Sequence, residues 1–385
     1  KNSTILVTCS KGVAPFLSEE IAALGLSVRS ELPAGIETYG SLEDAMRLNL
    51  HVRTGQKVLY LLETFTAGHP DDLYKKMTEI PWEEYFPRNG YICVTSSVDN
   101  PSIKDTRFAN LRGKDAVVDR FYKKFESRPN SGPKRDQSVI FIYWKAERCS
   151  VYLDTSGESL SRRGYRMIPL AAPMQETLAA AVVLASRWNS EENFINPMCG
   201  SGTLAIEAAL IAMGKDPGAM RNNYGFMHIQ GFSRPQWREM KGLAEKRKKT
   251  TPGRIIATDR DPRAVEAARS NAEAAGVSHL IEFEVCDFSD TPIPEGTGVV
   301  VLNPAYGERL GEISELEGTY REIGDYFKQR CSGYRGYIFT GNRELAKQVG
   351  LRAKTKTPFY NSNIECRLFG YDLYSGSMKK SKQTA

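Results

Sequence analysis

FINPMCGSGTLAIEAALIA (Phe194 to Ala212) begins as a short apolar strand ending at Asn196, turns through Gly200 and Gly202, and continues as an apolar helix. Two glycines at this spacing let the backbone approach a ligand closely, and the helix start that follows offers unpaired N–H groups to an anion. A tight strand-to-helix connection needs the same glycines, so the turn acquires meaning only from its surroundings. No lysine follows the second glycine, which excludes a Walker phosphate loop. From Phe194 onward the order strand, glycine turn, helix, strand, helix, strand predicts a parallel, doubly wound α/β sheet.

The next segment outward is RIIATDRDPRAVEAARSNAEAAGV (Arg254 to Val277), a strand closing on Asp259 and followed by Asp261, Pro262 and a helix. Asp261 precedes a proline at the first helical position and is assigned as the N-cap. That leaves Asp259 free to accept hydrogen bonds from the two hydroxyls of a ribose. In IEFEVCDFSD (Ile281 to Asp290) the carboxylate of Asp287 ends a third strand and Phe288 follows, a pair suited to an adenine's amino group and ring face. An ordinary strand-end acid would look the same in isolation.

The fourth strand, GVVVLNPAYGERL (Gly298 to Leu310), breaks into Asn303-Pro304-Ala305-Tyr306. An exocyclic base amine is a poor nucleophile because its lone pair is delocalised into the ring. Two fixed acceptors, the side-chain oxygen of Asn303 and the carbonyl of Pro304, can each take one amino hydrogen and aim the lone pair at an activated methyl group. Tyr306 would stack on the target base. Together the four segments describe an S-adenosylmethionine site, with the glycine turn at the methionine end.

The first half of the chain reads differently. Short strands (Ile5 to Cys9, near Val28 and Ile36, Lys57 to Phe65, Tyr91 to Ser97, Val139 to Trp144, Ser150 to Thr155) alternate with amphipathic helices, as in two small α+β units in tandem. Between Lys104 and Arg148 twelve basic residues face six acidic ones, a surplus equal to the formal charge of +6 of the whole chain. That stretch either grips phosphates, with Lys123, Lys124, Lys134 and Arg135 as candidates, or is a solvated helix face. No apolar run is long enough to span a bilayer, and the seven scattered cysteines and four histidines form no metal-ligand pattern. Neither a membrane nor a metal is expected as a partner. The cysteines suit a reduced, cytoplasmic protein. KNSTILVTCSKG lacks the core of a secretory signal, although a chain starting at Lys1 is consistent with a removed leader.

NPMCGSGT, ATDRDP, CDF and NPAYGERL, with RRGYR and APMQETLAA (Arg162 to Ala180), the segment Asp216 to Trp237 and the tail FYNSNIECRLFGY (Phe359 to Tyr371), resemble the THUMP-domain RNA methyltransferases. The resemblance is strongest to the bacterial 23S ribosomal RNA guanine-N2 branch. It implies a ferredoxin-like domain over residues 1–60, an RNA-binding THUMP domain over 61–158, and a Rossmann-like class I methyltransferase domain over 159–385. It also implies that Asn196, Pro197, Gly200, Ser201, Gly202 and Thr203 surround the methionine end of S-adenosyl-L-methionine, with Glu176 and Thr177 beside it. Asp259 would then hold the ribose, and Asp287 with Phe288 the adenine. The catalytic set would be Asn303, Pro304 and Tyr306. Ala305 departs from the family's usual second proline; it restores an N–H and loosens the backbone while leaving both acceptors in place.

Three other readings remain open on the sequence. Gly200, Gly202 and Ala205 satisfy a relaxed dinucleotide pattern, but Asp259 lies too far downstream for the matching acid. A tRNA guanine-N2 or DNA adenine-N6 enzyme would use the same tetrapeptide. A non-catalytic RNA-binding assembly factor is the third alternative, motivated by Ala305.

Overall fold

The computed structural model describes residues 1–103, 105–168, 173–245, 253–307 and 310–374, with the backbone alone for 244, 245 and 310–315. Lys104 of the basic stretch, residues 169–172 before APMQETLAA, and Glu308 with Arg309 of NPAYGERL lie outside the described residues. The chain divides into two units, residues 1–163 with 216–247, and residues 164–215 with 248–385.

In chain order the first unit contains β1 (Ser3–Thr8), α1 (Ala14–Ala23), β2 (Ser30–Leu32), β3 (Gly35–Gly40), α2 (Leu42–His51), β4 (Lys57–Thr66), α3 (Pro70–Glu79), β5 (Tyr91–Asp99), α4 (Thr106–Phe125), β6 (Asn130–Ser131), β7 (Ser138–Lys145) and β8 (Arg148–Asp154). Local chemistry sets the helix starts. Ser41 and Asp44 form a reciprocal capping box at α2, and Asp105 accepts from the Arg107 N–H at α4. The strands join in one sheet ordered β2-β3-β1-β4-β8-β7-β5-β6. β4 makes it continuous: it pairs with β1 through Lys57 to Tyr60 and with β8 from Leu59 to Thr66, with a register shift between Leu61 and Glu63. The expected division after residue 60 therefore falls inside a strand shared by both halves.

The segment Asp216 to Trp237 belongs to this unit by its packing. Tyr224, Phe226 and Trp237, the last on α7 (Arg234–Glu245), form a buried aromatic cluster with centroids 4.9–5.5 Å apart. Gln230 donates to the carbonyls of Glu83 and Phe86, Arg221 to those of Ser156, Glu158 and Ser159, and His51 meets Asp216 at 2.8 Å.

The second unit holds α5 (Glu176–Ala185), β9 (Asn193–Asn196), α6 (Thr203–Ala212), β10 (Ile255–Asp259), α8 (Pro262–Ala275), β11 (Ile281–Val285), β12 (Gly298–Leu302), α9 (Leu310–Arg330), β13 (Arg335–Thr340), α10 (Arg343–Gln348), β14 (Thr355–Asn361) and β15 (Ile364–Asp372). Its sheet runs β11-β10-β9-β12-β13-β15-β14. The first five strands are parallel, and β14 and β15 close the edge as an antiparallel hairpin. β12 is buried throughout, as a central parallel strand covered on both faces must be. One face of the sheet packs Ile195, Val300, Leu302 and Ile338 against Tyr320, Ile323 and Phe327 of α9.

Candidate active site

β9 and β12 are neighbours from which the chain winds to opposite sides, so the switch point of the sheet lies between them. Doubly wound sheets bind ligands in the crevice outside the carboxyl ends of such strands. A cleft of ≈ 350 Å³ lies there, lined by Met198, Gly200, Asp259, Arg260, Asp287, Phe288, Asn303, Pro304 and Ala305, and by Leu316, Thr319 and Glu322 of α9. All four sequence segments thus contribute to one cavity.

Each strand end positions its residues by an identifiable bond. Asn196 is fully buried and donates to the Val301 carbonyl at 2.9 Å, tying β9 to β12 below the cleft. Pro197, Ser201, Gly202 and Thr203 are buried, and the Ser201 and Thr203 hydroxyls lie 3.4 Å apart. Gly200 has φ +54° and nothing within 4 Å of where a Cβ would stand, whereas Gly202, at φ +80°, starts α6 hard against Ala268. Asn271, also buried, donates to the Ser201 carbonyl and accepts from the N–H groups of Met167 and Ile168, so the two residues that follow RRGYR are pinned to the glycine turn. Burial pushes the Cys199 thiol far up, and it sits in the turn as a neutral, inert group.

Several expected roles change. Asp259 is not free: its Oδ2 accepts from Gly200 N and its Oδ1 from Asp261 N, each at 3.0 Å. A carboxylate has further lone pairs, so it can hold a ligand while clamping the turn. Asp261 is the expected N-cap, accepting from Arg263 N at 2.9 Å. Asp287 is exposed and caps a short turn through Ser289. Phe288 is 6% exposed and packs perpendicular to Tyr326 at 5.9 Å; it is a core residue that also lines the cleft. Glu176 and Thr177 are buried and do not line the cavity; Glu176 pairs with Arg166 at 3.3 Å. Tyr306 lies outside the lining too. Its hydroxyl accepts from Asn361 at 3.2 Å at the tip of the β14–β15 hairpin, and its ring packs on Gly341.

Two oxygens stand out. Asn303 Oδ1 and Asn196 Oδ1 are shielded from solvent and have no hydrogen-bond partner among the described residues. Leaving such an acceptor unsatisfied costs about 1–3 kcal/mol, which a donor on a ligand would recover. Asn303 lines the cleft, so its unpartnered oxygen belongs to the wall of the space a ligand would occupy.

Sequence reasoning missed Met198, Arg260, Leu316, Thr319 and Glu322. The last three recur every third residue along α9, a spacing that places them on one helix face, and that periodicity was the available signal. In the basic stretch, Arg120 and Lys124 share Glu83, Arg107 pairs with Asp105, Arg112 with Asp71, and Lys114 with Asp115. Lys124 thus shares the single Glu83 carboxylate with Arg120, a partner the sequence did not reveal. Lys123, Lys134 and Arg135 are exposed, and no carboxylate pairs with them among the described residues. Among the described residues no cluster of metal-ligating side chains occurs, and no helix is long and apolar enough to cross a membrane.

Residues 163–369, holding the whole cleft, match the family described as RMKL-like, methyltransferase domain. The chain belongs to that family. Ahead of the RMKL-like domain, residues 4–59 match the RlmL ferredoxin-like domain and 68–154 the THUMP domain, in the expected order. The RMKL-like chain is 40% identical over 379 residues to the ribosomal RNA large subunit methyltransferase K/L of Syntrophotalea carbinolica, covering 95% of this chain and 53% of that protein. It spans about half the length of the K/L relatives it matches. The Synechocystis sp. protein slr0064, whose name places it among RNA methyltransferases, is 31% identical, with 95% of this chain and 96% of that protein covered. The crystal structure of SMU.472 complexed with SAH superposes with a TM-score of 0.87 at 26% identity, over 98% of this chain and 100% of that one.

Proposed function

We propose that this protein transfers a methyl group from S-adenosyl-L-methionine to the exocyclic N2 of a guanine in 23S ribosomal RNA, in the cytoplasm. The observation that carries the reading is the solvent-shielded, unpartnered Oδ1 of Asn303 at the edge of the cleft. A base amine has two hydrogens to give, and Asn303 Oδ1 with the Pro304 carbonyl are its two acceptors. Bound S-adenosylmethionine supplies a methyl group on a cationic sulfur. Gly200, with open space before it, admits the methionine end, where Asn196, Pro197, Ser201, Gly202 and Thr203 shape the floor. Asp259 takes the ribose and Asp287 the adenine amine, while Phe288 contributes packing from below. Arg166, which reaches both Glu176 and the Thr203 hydroxyl, holds Glu176 in support of the turn, with Thr177 next to it in the chain. Tyr306, fixed by Asn361, bounds the entrance for the base.

The THUMP match and the names of the K/L relatives favour RNA as the partner, with Lys123, Lys134 and Arg135 contacting its phosphates and Lys124 engaged with Glu83. Purified protein incubated with labelled S-adenosylmethionine and an unmodified 23S transcript should yield one N2-methylguanosine by mass spectrometry. Asn303→Ala should cut turnover by about 10²-fold or more while cofactor affinity holds. Methyl transfer to tRNA or DNA in preference, or full activity in Asn303→Ala, would overturn the reading.

A further inference from the structure

Beyond the residues that line the cleft, a chain of hydroxyls holds the catalytic loop from behind. Tyr320 of α9 is fully buried; its Oη lies 3.3 Å from the Ala305 carbonyl and 2.8 Å from Thr340 Oγ1 at the end of β13. Thr340 Oγ1 in turn lies 3.1 Å from the backbone nitrogen of Asn342. Tyr320 Oη donates both of its bonds, its one hydrogen shared between the Ala305 carbonyl and Thr340 Oγ1. Thr340 Oγ1, which also accepts from the Asn342 N–H, fixes where that hydroxyl sits. Burial pushes the Tyr320 phenol well up, so it stays a donor throughout the working pH range.

The next carbonyl along is held too, by Asn342 Nδ2 at 3.5 Å from the Tyr306 oxygen. Asn342 cannot move freely to make that bond, because its Oδ1 caps α10 through the N–H groups of Glu344 and Leu345. With the carbonyls of residues 305 and 306 held by Tyr320 and Asn342, Pro304 and Asn303 stand on the cleft wall beside Ala305. Position 305 is an alanine, whose backbone torsions no ring restrains. The loop thus depends on external anchors to keep its acceptors in place.

We propose that Tyr320 is a positioning residue for methyl transfer: through Thr340 and Asn342 its hydroxyl anchors the Ala305 carbonyl and so holds the Asn303 and Pro304 oxygens at the geometry a base amine requires. The inference rests on the methyl-transfer reading for its kinetic consequence, and on the bond chain alone for its structural one.

Tyr320→Phe keeps the buried ring and deletes only the anchor. Loss of one such bond weakens the loop's preference for the working geometry by about five-fold. Single-turnover transfer to the 23S transcript should slow by about that factor, with KM for S-adenosylmethionine and for RNA unchanged. Amide exchange of peptides covering residues 303–307, read by mass spectrometry without any ligand, should quicken in the same variant. Thr340→Val should reproduce both effects, and Thr340→Ser, which keeps the hydroxyl, should restore wild-type values. Unchanged rate and exchange in Tyr320→Phe, or a change in KM alone, overturns the proposal. If wild-type protein fails to methylate the transcript, the function reading falls, while the exchange measurement still decides whether Tyr320 anchors the loop.

Discussion

Replacing Gly202 and Gly200 by alanine, one at a time, separates the architectural demand of the glycine turn from its ligand demand. At Gly202 the backbone has φ +80°, and a Cβ would stand 2.8 Å from Ala268 Cβ and 3.2 Å from Ala268 Cα. The left-handed conformation costs a residue with a Cβ about 1–2 kcal/mol. Relieving the contact means pushing α8 away from the start of α6, an overpacking cost of about 1–3 kcal/mol. Gly202→Ala should therefore lose about 3 kcal/mol, read as faster exchange at peptides of α6 and α8 and an earlier urea midpoint. Gly200, at φ +54° with nothing within 4 Å, meets only the conformational cost, about 1 kcal/mol. Its new methyl group would instead occupy space at the cleft wall and weaken S-adenosylhomocysteine by about ten-fold or more in calorimetry, a ~1.4 kcal/mol effect. Equal destabilisation by the two substitutions, or undiminished ligand affinity in Gly200→Ala, would refute this division of labour.

Two further outcomes follow from the basic surface of the first unit. Removing the charges of Lys123, Lys134 and Arg135 together should lower RNA affinity and reduce the slope of log K against log salt by about 2–3, whereas Lys124→Ala, already paired with Glu83, should change the slope little. Hydrogen bonds from Arg120, then Lys124, hold the Glu83 carboxyl at about 2, below its ordinary 4.5. A depressed carboxyl stabilises the fold above its unfolded value and loses that contribution as pH falls toward its folded one. The stability difference between wild type and Glu83→Gln, measured by urea unfolding, should accordingly be constant above pH 5 and shrink between pH 4.5 and 2.

Much of the second unit could be read in the chain because its signals are local. Gly200, Gly202, Asp259 and Asp261 each sit where a strand gives way to a helix, and the backbone conformation needed there restricts the residue type. The tail from Phe359 to Tyr371 likewise forms the expected hairpin. Features set by distant partners could not be read. Nothing near Lys57 reveals that β4 will join the two halves of the first unit in one sheet. Phe288 has the sequence position of a ligand-facing ring, but Tyr326, 38 residues later, also packs against it as part of the core. Glu83 and Lys124 carry opposite charges in different elements, and only their meeting at 2.6 Å shows that the apparent phosphate grip is partly cancelled. The same holds for Asp259, whose apparent freedom disappears once Gly200 N is folded against it.

The discontinuous make-up of the first unit has a consequence for synthesis. A nascent polypeptide stopped at residue 163 would carry β1 through β8 but lack Tyr224, Phe226 and Trp237, together with the Gln230 and Arg221 side chains that cover its backbone carbonyls. Completion must wait for residues up to 247 to leave the ribosome, on the order of 5–15 s later at ordinary elongation rates. During that interval α6 and its flanking strand are already outside, so the two units mature in overlap and neither is finished before the other has begun.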